Sequence, residues 1–186
     1  FARLDVREHS LKHLEVFAEL VRVNQLSGSD PRHMQEQEKL LLLERLFTLP
    51  PLVNGEKKLS SQTQELLNTL KVIKERILNL DSDAIDGYVI SMTHEASDVL
   101  ILMWLCYQED LIRRTRYGMA GSLNFVPLFE GIDDLRRAHE VMLVLYRHPV
   151  YMQYLRKQNM LHNGEKIALG ATSMMAQLMR CRQSLT

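Results

Sequence analysis

The chain is poor in the features that would mark a specialised surface. Its 186 residues carry 23 Lys+Arg against 23 Asp+Glu, a formal net charge of zero, so no global field draws nucleic acid or an anionic membrane surface. The longest wholly apolar run, Val99 to Tyr107, is nine residues, against the roughly 20 that a bilayer-spanning helix needs. Neither a membrane nor a nucleic-acid partner is expected. The chain opens on Phe1 rather than Met, and no charged stretch leads into an apolar segment, so neither a signal peptide nor a native start is visible. The cysteines Cys106 and Cys181 form no CxxC, and no further sulfur is available for a zinc site. They read as reduced structural thiols of a cytoplasmic protein. The histidines, at His9, His13, His33, His94, His139, His148 and His162, show no HExxH spacing.

What is present is core-forming material, 46% hydrophobic, enough for about one domain. The ten methionines are scattered through helical patterns, where Met fills core gaps. Residues 11–26 put Leu11, Leu14, Phe17 and Val21 on one face with charges opposite, the pattern of an amphipathic helix. Asp30-Pro31 reads as an N-cap and an N1 proline opening a second helix through Phe47, which Pro50-Pro51 terminates. A third helix is expected from Ser61, with Ser61-x-x-Gln64 as a capping box, to about Leu78, with Leu66, Leu67, Leu70, Ile73 and Ile77 inward.

The rhythm then changes. Residues 88–92, 125–130 and 166–170 are short β-rich runs, each preceding a helical pattern, and residues 1–6 are a further candidate. Such alternation predicts βα units around a parallel sheet. In a barrel of that kind, polar residues at the C-terminal strand ends share one face, which makes Arg3, Asp5, Ser91 and Glu130 candidates. Capping helices and satisfying loop backbone are their ordinary alternatives. A competing reading takes only the amphipathic helices and makes the strand-like runs core helix segments; Pro127 would sit badly inside such a helix.

Three stretches carry a family resemblance. Residues 1–7 (F-A-R-L-D-V-R) with Ser10 resemble L-x-R-(L/I)-D-(I/V)-R-Q-x-S, with Glu8 where Gln is usual; residues 88–100 resemble Y-(V/I)-I-S-M-x-x-x-x-S-D-V-L. Residues 126–135 resemble V-x-P-L-F-E-x-x-x-D-L, the most specific of the three. In this order and at these separations they resemble phosphoenolpyruvate carboxylase over about residues 1–170.

The resemblance implies a helix-rich α/β fold, residues 1–170 being part of a (β/α)8-type barrel with long helical insertions, the TIM barrel. It implies a cytoplasmic homotetrameric lyase of carbon dioxide fixation that joins phosphoenolpyruvate and bicarbonate into oxaloacetate, releasing phosphate. Mg²⁺ or Mn²⁺ is implied as cofactor, with Glu130 at the position of the family's glutamate ligand; hard cations favour such oxygen donors. Arg3 matches an arginine that binds substrate and stabilises the negative charge that develops in the reaction; its planar fork suits phosphate or carboxylate. The alternative for Arg3 is a salt bridge to Asp5 or Glu130. Ser91, Met92, Ser97 and Asp98 read as shaping the barrel mouth, Ser97 and Asp98 in the first turn of the next helix. His94 reads as a solvated loop residue outside the catalytic set.

The resemblance breaks after Gly170. Where the family has G-Y-S-D-S-x-K-D-x-G, Ser173 stands at the second metal-ligand position and Ala176 at the lysine position. Residues 171–186 are therefore expected to be a divergent tail produced by frameshift or gene decay. The family's T-x-H-P-T histidine and its glycine-rich, arginine-bearing loop lie outside the chain, which is expected to be an enzyme fragment without activity of its own. The other possibility is a non-catalytic remnant acting as an interaction module or decoy subunit. Open strand edges predict association or poor solubility.

Overall fold

The computed structural model describes residues 4–52, 58–79 and 85–161. Strand β1 (Leu4–His9) runs directly into α1 (Ser10–Val23), then come α2 (Glu36–Leu46), α3 (Ser61–Asn79), β2 (Ile85–Ser91) and α4 (Ala96–Gln108). A short hairpin, β3 (Arg113–Thr115) and β4 (Gly118–Ala120), precedes β5 (Asn124–Pro127), α5 (Ile132–Arg147) and α6 (Pro149–Leu161). β1, β2 and β5 form one parallel sheet in that order, in a register that aligns Asp5 with Gly87 and Asn124, and Arg7 with Val89 and Val126. The described strands therefore make an open three-stranded parallel sheet within a helix-rich α/β fold. The purely helical alternative is overturned, because the 125–127 run pairs with β2 through backbone that Pro127 tolerates at a strand end.

Helix α4 is the centre of the core. After its first turn, from Val99 to Tyr107, its sequence is apolar on every face, and every residue from Ala96 to Tyr107 is buried, as a stretch without a polar side must be. It is surrounded by α1, α2, α5 and the sheet. Phe17 from α1 meets Trp104 of α4 edge to face, ring centroids 5.2 Å apart, the geometry the ring quadrupoles favour. Cys106, the free thiol in this helix, is fully enclosed, and burial pushes its pKa up, so it is the inert structural thiol the sequence indicated. Cys181 lies outside the described residues.

The helix starts depart from expectation in instructive ways. Asp30 does cap, accepting the Arg32 N–H at 3.0 Å, but it opens only a single 3₁₀ turn, Pro31–His33. α2 begins afresh at Glu36, where Gln35 and Glu38 form a reciprocal capping box. For α3 the cap is Ser60, one residue earlier than the motif indicates: its Oγ accepts the Thr63 N–H at 3.2 Å. The hydroxyl also donates to Glu19 of α1 at 2.6 Å, so tertiary contact selects the first of two adjacent serines. The inward face of α3 is as expected, with Leu66, Leu67, Leu70 and Ile73 buried and Ile77 half-buried against the core. Among the described residues no helix is long and apolar enough to cross a membrane.

Candidate functional site at the strand mouth

The three parallel strands end on the same side, and the loops that leave them are stitched together there. The Leu128 N–H donates to the Ile90 carbonyl at 2.9 Å, and the Thr93 N–H donates to the Leu128 carbonyl at 3.1 Å. Met92, just past β2, is held in the left-handed region at φ 53°, a conformation uncommon outside glycine and tolerated only where the surroundings enforce it. The enforcement is visible: the Ser10 hydroxyl donates to the Met92 carbonyl at 2.7 Å. The turn sends the Met92 N–H to Glu130 Oε2, at 3.2 Å.

The other oxygen of Glu130, Oε1, takes Nη2 of Arg7. Arg7 lies on β1, on the exposed side of the sheet, and its Nε donates weakly to Ser91 Oγ at 3.4 Å. Ser91 in turn donates its hydroxyl to the Glu8 carbonyl at 3.1 Å, so it links β1 to β2 as well as steadying the guanidinium. Side chains from three separate strand ends thus converge: Arg7 from β1, Ser91 from β2, Glu130 from the loop after β5. The remaining N–H groups of Arg7 can meet an anion.

Of the residues read from sequence, Glu130 and Ser91 are at this mouth; Asp5 is exposed on β1, two residues from Arg7 toward the opposite end of the strand. Arg3 lies outside the described residues, as do the 166–170 run, Ser173 and Ala176. Arg7 falls within the first motif yet is absent from the candidates read from sequence. The signal that would have found it is strand parity: Arg7 stands one pleat nearer the strand's C-terminal end on the face that carries Asp5. The salt bridge considered for Arg3 is made by Arg7.

Beside the mouth, the start of α4 is structural, as expected, though with different partners. Asp98 accepts the N–H groups of His94 and Glu95 at 2.9 and 3.0 Å, forming a capping box with Glu95; burial nevertheless pushes its carboxyl up. Ser97 does not cap; its N–H and hydroxyl both go to Glu36 of α2, at 2.8 and 2.5 Å. His94 is not merely solvated: its Nδ1 lies 2.7 Å from Asp134 Oδ1. That bond, and the charge of His94, hold the Asp134 carboxyl below its ordinary range, helped by the Gly131 N–H and Arg137. The pair ties the loop after β2 to the first turn of α5.

These elements carry the described parts of the three motif stretches, and comparison with known proteins agrees. The sequence profile of the family Phosphoenolpyruvate carboxylase matches residues 1–172. The chain belongs to the phosphoenolpyruvate carboxylase family. It is 36% identical to a phosphoenolpyruvate carboxylase of Rhodothermus marinus over 155 residues, 80% of this chain and 16% of the relative. A Gloeobacter violaceus phosphoenolpyruvate carboxylase is 34% identical over 155 residues, 83% of this chain and 16% of the relative. One from Synechocystis sp. is 34% identical over 151 residues, covering 81% of this chain and 14% of the relative. The chain therefore spans about a sixth of the length of these carboxylases. Among the described residues no three His, Cys, Asp or Glu groups gather as a metal site would require, and Glu130 contributes one carboxylate already paired with a guanidinium. This donor set does not fit a divalent cation.

Proposed function

We propose that the chain is part of an enzyme that carboxylates phosphoenolpyruvate with bicarbonate, giving oxaloacetate and phosphate, a carbon–carbon lyase of the cytoplasm that assembles as a homotetramer. The observation that carries this reading is the convergence of Arg7, Ser91 and Glu130 at the common end of β1, β2 and β5, in a chain of this family. Three parallel strands, each leading into a helix, support their assignment as strands of a larger (β/α)8 barrel whose chemistry lies at that end.

In this reading Arg7 grips a phosphate or carboxylate oxygen pair with its planar fork, and Ser91 holds the guanidinium against β2. Arg3 is proposed as a second cation for substrate and transition-state charge. Glu130 belongs to the same proposal as one ligand of the family's Mg²⁺ or Mn²⁺, although the described residues do not complete such a site. The general base and the rest of the phosphate cradle are not supplied by this chain, so the isolated chain has no activity.

The test is oxaloacetate formation from phosphoenolpyruvate and bicarbonate with Mg²⁺, comparing this chain with a protein of relatives' length into which residues 1–170 are placed. Activity is expected only from the longer protein, and Arg7→Gln in it lowers kcat/KM by at least about tenfold, as loss of one charge-assisted contact should. Turnover by the isolated chain, or an unaffected R7Q enzyme, rejects the assignment.

A further inference from the structure

The loops that leave β2 and β5 are tied to each other repeatedly. Backbone does it first, the Leu128 N–H meeting the Ile90 carbonyl and the Thr93 N–H the Leu128 carbonyl. Then the Met92 N–H meets Glu130 Oε2, and His94 Nδ1 lies 2.7 Å from Asp134 Oδ1. A carboxylate only accepts, so the proton of this last bond sits on Nδ1. The Asp134 side chain is 8% exposed and also accepts the Gly131 N–H. It is pressed against that peptide, since a Cβ at Gly131 would come 2.7 Å from Oδ2. Arg137 reaches Asp134 Oδ1 too, but at 3.3 Å and while shared with Glu95 at 3.4 Å, which makes it the weaker holder. Glu130 is therefore anchored twice, by its own Oε2 on the Met92 N–H and by the next peptide N–H on Asp134. Its Oε1 holds Arg7.

We propose that His94 is a positioning residue for Arg7: acting through Asp134 and the Gly131 N–H, it fixes the Glu130 carboxylate and so the guanidinium that the mouth presents to an anion. The role of Arg7 toward the anion rests on the function proposed above, whereas the tie from His94 to Glu130 does not. What matters in His94 is the Nδ1–H, not a proton delivered from Nε2, which has no partner among the described residues. An arginine grips an anion with two bonds only when its plane is correctly set, and misplacement of such a group by a fraction of its reach costs rate without any change in the group itself.

Asparagine at position 94 can place an amide N–H where the ring places Nδ1–H, but it has nothing in place of Nε2; alanine has neither. The His94 side chain is 42% exposed, so loss of its bond is expected to be worth about fivefold rather than more. In the isolated chain, His94→Ala should speed hydrogen exchange of the Met92 and Gly131 amides about fivefold, and His94→Asn should restore them to within about twofold. Unchanged exchange at the Val89 and Ile90 amides verifies that each variant folds. In the longer protein described above, H94A should lower kcat/KM about fivefold with H94N restoring it, and in an R7Q background H94A should have no further effect, because the group it positions is gone. Unchanged exchange or unchanged kcat/KM in H94A overturns the proposal. So does an H94N enzyme as impaired as H94A, which assigns the role to Nε2, or a full additional loss in the R7Q background, which makes His94 independent of Arg7. An unaffected R7Q enzyme rejects the proposed function and the positioning role together, whereas loss in R7Q without loss in H94A rejects the positioning role alone.

Discussion

Replacing His13 should make the chain less sensitive to mild acid. His13 lies on α1 and is wholly buried behind the sheet, one ring nitrogen 3.1 Å from the Tyr88 hydroxyl of β2 and the other without a hydrogen-bond partner. Charging such a ring would bury a cation with an N–H unmet, and burial accordingly pushes its pKa down to about 4, a penalty that the Glu8 charge only partly offsets. The unfolded chain has no such restriction and takes up the proton near pH 6.5. Between these values the unfolded state binds more protons, so stability falls as pH falls. With the folded value at about 4, linkage through this one residue removes about 2 kcal/mol between pH 7 and pH 5. Urea unfolding at the two pH values measures it. His13→Gln keeps a neutral hydrogen-bonding group and should shrink the pH-dependent loss by about 2 kcal/mol, whatever it does to stability at pH 7. His148, also buried and pushed down by burial, contributes in the same direction and remains in the variant as an internal reference. A pH dependence identical in H13Q and the unaltered chain would refute the argument.

Neighbouring contacts give further expected outcomes. Glu36→Ala strands the buried N–H and hydroxyl of Ser97 and should destabilise by about 1–3 kcal/mol in urea unfolding. Asp134 titrates below its ordinary range because of His94, so its stabilisation is full above the ordinary carboxylate pKa and disappears as pH drops through the folded one; Asp134→Asn should flatten the acid limb of an unfolding profile below about pH 4. A methyl at Gly131 would come 2.7 Å from Asp134 Oδ2, and Gly131→Ala is expected to lower thermal stability by roughly 1 kcal/mol through displacement of that carboxylate. In a Cys181→Ser background, Cys106 should ignore a thiol reagent until denaturant is added, since it is fully buried with its pKa raised; labelling at the native state's mixing rate would contradict the enclosed α4.

The sequence by itself located α1, α3 and the apolar stretch of α4, and most of their buried faces, because apolar spacing acts locally; Leu11, read as inward on α1, is instead 59% exposed at the helix start. The sequence also determined the family, since three motifs of fixed order carry that information. Of the four runs read as strands, the three among the described residues were located to within a few residues, although β2 begins at Ile85 and β1 extends to His9, bounds set by pairing rather than by β-propensity. The β3–β4 hairpin left no sequence signal, its three-residue strands being too short to show alternation. Only tertiary structure decided that Ser60 rather than Ser61 caps α3, because Glu19 chooses between them, and that His94 has a carboxylate behind it. It likewise decided that Arg7 stands on Glu130, a pairing across 123 residues that exists only once parallel strands β1, β2 and β5 are in register. Local periodicity carries no information about that register, which backbone hydrogen bonding between distant segments sets.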